Sequence, residues 1–169
     1  MQNIILIGFM GVGKGSVARE VIKQSGCIAL DTDDVIESME NRAVKKIFEE
    51  EGEAYFRDLE KRVATWLATS VHDTLISTGG GFFKVPNLKE IGKVVLLHAS
   101  FDTIYERITQ HPNAKQKIKK RPLFKSKKKA RALYEEREPA YMAVADIVVD
   151  VTDKPVEAIA REILEKVAQ

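Results

Sequence analysis

The sequence predicts a three-layer α/β fold on a mostly parallel sheet, and three observations predict it. Short runs rich in Ile, Val and Leu alternate with longer helical stretches. That is the pattern of parallel strands buried on both faces and joined by crossover helices. The first apolar run feeds a glycine-rich turn, Gly8 to Gly13, and then Lys14 at the start of a helical stretch. Finally, 169 residues suit one domain with a sizeable core.

The elements follow in order. Apolar runs at 3–7, 28–30, 74–77, 93–97 and 146–149 read as five strands, each short and β-branched. Helical patterns cover 14–25, 33–70 with interruptions near Arg42 and Gly52, 86–91, 101–110 and 127–143. A last helix over 155–168 carries Pro155 in its first turn, where a missing N–H costs nothing. Residues 111–126 hold Pro112, Pro122 and many lysines. They read as a loop between helices and a mobile lid. No linker or repeat splits the chain, so residues 1–169 form a single domain. In open α/β sheets ligands sit beyond the C-terminal ends of the strands. Residues 8–15, 31–33 and 78–81 should therefore face one cleft.

The one cysteine, Cys27, opens the second strand and is expected to be a buried, inert thiol. A lone cysteine forms no internal disulfide, which points to a reducing cytoplasm. The N-terminal apolar run is short and has no basic lead, so neither a signal peptide nor a membrane span is expected. Trp66 stands at helical spacing from Val63 and Leu67 and is assigned to the core. The three histidines have no metal-ligand spacing.

Net charge is +2 but unevenly spread. Residues 107–134 contain eleven Lys or Arg and no Asp or Glu, which leaves sixteen basic and 25 acidic residues elsewhere. A cationic segment on an acidic body handles anions. Nucleic acid and a polyphosphate are both candidates.

Gly8, Gly13 and Lys14 fit G-x-x-x-x-G-K-[ST], the phosphate-binding loop in which backbone amides and a helix N-terminus surround an anion. The last position departs: it is Gly15, and the hydroxyl moves one residue on, to Ser16. Asp31-Thr32-Asp33 follows the second strand. One carboxylate there can bind Mg²⁺ through water, and the other can accept a proton from a substrate hydroxyl. One residue of the three can instead cap the next helix. Arg57 and Glu60 are spaced i, i+3, so the acid can orient the arginine against an anion, although helix surfaces are full of such pairs. Gly79, Gly80 and Gly81 allow a ligand to approach backbone amides closely. Arg121, stiffened by Pro122, is the lid cation placed to close on transferring phosphates. Arg137 is a candidate second anion clamp.

Taken together these motifs resemble the shikimate kinase family. Gly-Phe-Met-Gly-x-Gly-Lys at 8–14, Asp-x-Asp at 31–33, Phe-Arg-x-x-Glu at 56–60, the triplet 79–81, Arg-Pro-Leu at 121–123 and Arg-x-Pro-x-Tyr at 137–141 occur in that family's order. The resemblance implies the nucleoside monophosphate kinase fold, with a five-stranded parallel sheet of order 2-3-1-4-5, a helical substrate-binding region over about 33–61 and a lid over about 111–126. It implies transfer of the γ-phosphoryl group of ATP to the 3-hydroxyl of shikimate, with Mg²⁺. Lys14 and the loop residues Gly11, Val12, Gly13, Gly15 and Ser16 would hold the nucleotide phosphates. Asp31 and Ser16 would serve the metal. Asp33 would bind the acceptor hydroxyls and act as base. Arg57 and Arg137 would grip the carboxylate beside Gly79, Gly80 and Gly81, with Phe48 and Phe56 walling the ring. Arg121 would reach the phosphates from the lid, and Arg107 and Pro155 would flank adenine. Shikimate and ATP are the implied partners of a cytoplasmic monomer, with no nucleic acid and no membrane.

Two departures from the family stand out: Gly15, and a lid that is longer and richer in lysine. Rival readings are an adenylate or gluconate kinase of the same fold, which Gly15-Ser16 favours, and a nucleotide switch or nucleic-acid binder. The switch would want Asn-Lys-x-Asp, which is missing.

Overall fold

The computed structural model describes residues 2–169. Its sheet has five strands in the order β2-β3-β1-β4-β5, all neighbours parallel. The strands are β1 (Ile4–Ile7), β2 (Ile28–Asp31), β3 (Thr74–Ser77), β4 (Lys93–His98) and β5 (Ile147–Asp150). β1 is central and fully buried, as its Ile-Ile-Leu-Ile sequence requires of a strand covered on both faces. β2 is an edge strand instead, and Ile28 is 75% exposed. The expectation that every strand is buried on both faces fails at both edges of the sheet, since Val148 of β5 is 37% exposed as well.

The helices are α1 (Lys14–Ser25), α2 (Thr32–Glu40), α3 (Val44–Glu51), α4 (Glu53–Ser70), α5 (Leu88–Ile91), α6 (Phe101–Thr109), α7 (Ala114–Lys120), α8 (Lys127–Val144) and α9 (Val156–Val167). α1 packs on α9 on one side of the sheet. The expected breaks near Arg42 and Gly52 separate α2, α3 and α4. Arg42 ties the first break together through Glu40, Glu50 and Glu51. Pro139 lies inside α8, so this helix runs on past the point where the proline suggests an end.

Three expectations need correction. The lid segment is not a loop: α7 and a 3₁₀ turn over Pro122–Lys125 occupy most of it. Pro112 and Pro122 bracket this helix, and its Ala, Lys and Gln residues are good helix formers. Trp66 is 43% exposed, not core. The buried stripe of α4 runs through Phe56, Leu59, Glu60, Val63, Ala64 and Leu67, and Trp66 falls at its margin, beside Val35 and Met39 of α2. Cys27 precedes β2 and is half-buried rather than buried.

Candidate active site

The loop after β1 turns through Val12 N–H to Phe9 C=O and reaches α1 at Gly13, which caps it with φ 109°. Gly11 has φ 84°, and a Cβ there would collide with Ile108 of α6. Gly11 needs glycine for both conformation and space, and Gly13 for conformation alone. Lys14 Nζ donates to Gly8 O at 2.6 Å and Phe9 O at 3.3 Å, folding its own loop around the ammonium. Burial pushes Lys14 down to about 8, and Asp31 and Asp33 oppose the shift. Ser16 is exposed, with Oγ 3.4 Å from the Arg19 guanidinium. Arg107 of α6 donates to Val12 O and to Val151 O, both at 3.3 Å. It thereby bridges the loop to the segment leading into Pro155, the N-cap of α9.

β2 and β3 end in register, Asp31 beside Ser77. Asp31 is the N-cap of α2: Oδ1 accepts from Asp33 N at 2.9 Å and Asp34 N at 3.4 Å. Capping thus takes one of its oxygens and leaves the other. Thr32, wholly buried, accepts from Gly79 N at 3.1 Å, while Thr78 bonds to Leu6 O of β1. These bonds lock the three strand ends into one cleft floor, as their order in the sheet demands.

The glycine triplet is the wall on which the acceptor side is assembled. A Cβ on Gly79 would stand 2.6 Å from Asp33 Oδ1, and one on Gly80 would stand 2.9 Å from Arg137 Nη1. One on Gly81 would collide with the Arg57 guanidinium. Each glycine is thus the seat of one charged side chain. Tyr141 donates to Gly80 O at 2.5 Å and fixes the middle of the wall to α8, next to Arg137. Arg57 pairs with Glu53 and with Glu60, which is 1% exposed. It also lies over Phe56, and Phe56 stacks at 4.6 Å on Phe48. The i, i+3 pair read from sequence is therefore a buried orienting contact. Tyr141 carries site geometry that sequence reasoning left without a role, and Thr32, read only as a possible helix cap, instead holds Gly79 N. Both lie within motifs already quoted.

Electrostatics set these groups apart. Asp33 is raised to about 7, chiefly by burial and then by Asp31 and Glu60. Glu60 is also raised by burial, against Arg57 and Arg137. Among the described residues three buried polar atoms have no partner: Asp33 Oδ1, Glu60 Oε2 and Arg137 Nε. All belong to this wall. Buried polar groups are normally paired, so the wall is shaped for a polar ligand.

The lid is tied down at one end. Phe124 is buried and meets Phe9 of the phosphate loop edge-on at 6.2 Å. Tyr134 packs on Phe9 at 5.3 Å and donates to Ala99 O. Arg121 begins the 3₁₀ turn that this anchor holds and is half-buried with no carboxylate partner among the described residues. Among the described residues no helix is long and apolar enough to cross a membrane.

A phosphate loop facing a wall of one acid and two arginines, under a cationic lid, defines a P-loop kinase for a small anionic acceptor. A family model described as shikimate kinase matches residues 10–168. A shikimate kinase from Caldanaerobacter subterraneus subsp. tengcongensis is 39% identical over 97% of this chain and 95% of its own. One from Helicobacter hepaticus is 40% identical over 64% of this chain and 65% of its own. The structure of the Acinetobacter baumannii shikimate kinase in complex with shikimate superposes with a TM-score of 0.84 at 30% identity, over 99% of this chain and 93% of that one. The chain belongs to the shikimate kinase family.

Proposed function

We propose that this cleft transfers the γ-phosphoryl group of ATP to the 3-hydroxyl of shikimate. The observation that carries the reading is the pairing of Gly79, Gly80 and Gly81 with Asp33, Arg137 and Arg57. Two guanidiniums match a carboxylate, and one carboxylate of raised pKa matches hydroxyls. Gluconate offers a carboxylate and hydroxyls as well, so the family match is what favours shikimate over it, whereas an adenylate acceptor brings no carboxylate for the two guanidiniums.

The roles follow from position. Arg57, oriented by Glu60 and Glu53, and Arg137, beside Tyr141, hold the acceptor carboxylate. Phe48 and Phe56 wall its ring. Asp33 takes the proton of the attacking hydroxyl, whose oxygen bonds to the γ-phosphorus as the bond to the β,γ-bridging oxygen breaks. Lys14, released from its carbonyls, and the amides from Gly11 to Ser16 hold the phosphates, and Arg121 neutralises the transferring group. Arg107 and Pro155 border the base. Residues 33–61 form the acceptor region and 111–126 the lid.

Mg²⁺ fits the acidic end of β2. Asp31 keeps one carboxylate oxygen clear of its capping bonds and can hold the ion through water. Ser16 beside Arg19 is the weaker ligand, since a guanidinium repels a cation. When bound, the ion neutralises charge on the nucleotide phosphates. The lone Cys27 fits a reducing cytoplasm, and sedimentation would test the proposed monomer.

A coupled assay with shikimate, gluconate and AMP in parallel tests the proposal. Turnover of shikimate alone at saturating ATP and Mg²⁺ is expected. No turnover of shikimate would overturn it.

A further inference from the structure

We propose that Lys117 is a second phosphate-contacting cation of the lid, holding the non-transferred phosphates of the nucleotide one helical turn behind Arg121. The proposal rests on the donor-site reading above and assigns a residue that this reading does not use.

The placement follows from α7. Lys117 lies in the last turn of α7 and Arg121 is the C-cap that ends it, four positions on, so the two stand close along the chain's path. The α7 lysines otherwise point to solvent: Lys115, Lys119 and Lys120 are exposed, and only Lys117 is half-buried. Ile118 packs on the hydrophobic core beside it, which fixes the helix's rotation. Downstream, the buried Phe124 anchors the turn carrying Arg121 against Phe9 of the phosphate loop. Upstream, Arg107 is bonded to Val12 O of the same loop.

Electrostatics point the same way. Burial lowers Lys117 first, and then the charges of Arg121 and Arg107 lower it further. Lys117 therefore lies in the field of both arginines. The donor-site reading gives Arg121 the transferring phosphate and Arg107 the nucleoside side, and a cation felt by both is assigned the α- and β-phosphates. Residues 107–134 contain no acid, and among the described residues no carboxylate pairs with Lys117 or Arg121. Cations with no carboxylate partner among the described residues repel one another, and a polyanion relieves all three at once. A merely solvated lysine would stand clear of them, as its helix neighbours do.

The test is equilibrium binding of Mg·ADP and of adenosine to the full chain, with steady-state kinetics. Lys117→Gln should weaken ADP about 5- to 10-fold and leave adenosine unchanged. Lys119→Gln, on the exposed face of the same helix, should change ADP less than about twofold. Lys117→Arg should restore ADP binding to within about twofold. The KM for ATP should rise more than kcat falls, and log Kd for ADP should depend less steeply on log salt in Lys117→Gln than in Lys119→Gln. Equal effects of Lys117→Gln and Lys119→Gln, or equal weakening of ADP and adenosine, would overturn the proposal. If the unmodified chain binds no ADP, the donor-site reading itself falls, and Lys117 with it.

Discussion

The two halves of the cleft are built differently. The centre of the donor half, the phosphate loop, is one continuous peptide, residues 8–16, and it satisfies itself: Lys14 bonds to the carbonyls of its own loop. The acceptor half is gathered from α2, α4, the loop after β3 and α8, and it leaves three buried polar atoms without partners among the described residues. An unpaired buried polar group costs about 1–3 kcal/mol. The acceptor wall thus carries a cost that a carboxylate- and hydroxyl-bearing ligand offsets, whereas the donor loop must exchange bonds it already has. Affinity for the acceptor should therefore depend on a few side chains, and affinity for the nucleotide should be spread over many amides.

The largest expected effect is at Asp33. Asp33→Asn should lower kcat by about 10²–10⁴-fold and remove the acid limb of kcat/KM centred near pH 7. The same variant should be the more stable protein at pH 8. Asp33 has a native pKa of about 7 against a reference of 3.8, so the unmodified chain loses stability as pH rises through that window. The loss is complete above pH 7 and absent below about pH 4. Urea unfolding should show a gain of about 2–4 kcal/mol for Asn at pH 8 that vanishes near pH 4. An unchanged difference across pH would mean that Asp33 is not buried against its charge.

Next comes Arg57→Lys, which removes the planar fork held by Glu53 and Glu60. The KM for shikimate should rise about 30- to 100-fold, since the change forfeits a two-bond grip, while the KM for ATP stays within about twofold. Equal rises in both constants would erase the division between the halves. Gly80→Ala should act in the same direction but less, about tenfold on shikimate. Its methyl would press on the flexible tip of Arg137 at 2.9 Å, and a side-chain tip yields more easily than backbone.

The donor half gives subtler signals. Lys14 sits near 8 in the ligand-free loop, and a phosphate beside it favours the ammonium. ADP binding at pH 8 should take up about half a proton, read from the buffer dependence of the calorimetric enthalpy. Proton release would contradict the buried-lysine reading. Smallest of all is Gly15→Ser. A Cβ there meets only the tip of Arg19, at 3.7 Å, so the fold should tolerate it with a gain of about 0.5 kcal/mol from helix propensity. The Mg²⁺ needed for half-maximal activity should fall if the missing hydroxyl matters. An unchanged requirement would mean that Asp31 and water already suffice.

Legibility followed the same division. The phosphate loop could be read because its chemistry is local: glycines, a lysine and a helix start within nine residues. The Arg57–Glu60 contact could be read because helical periodicity fixes which side chains meet. The lid was misread because Pro112 and Pro122 act as boundaries of α7 rather than as breakers of the whole segment. Trp66 and Ile28 were placed inside because an apolar residue at the right spacing looks alike whether or not a neighbour arrives to cover it.

By itself the sequence determined the alternation of strands and helices, the donor loop, the candidate anion-binding side chains and the reversal of charge along the chain. These depend on spacings short enough for backbone geometry to fix. Only the tertiary structure decided that Gly79, Gly80 and Gly81 each seat one charged side chain, that burial raises Asp33 to about 7, and that Phe124 pins the turn carrying Arg121 to the phosphate loop. Those outcomes depend on close approach and desolvation between segments far apart in the chain. Neither can be computed from spacing, because both arise only once the sheet has brought its strand ends together.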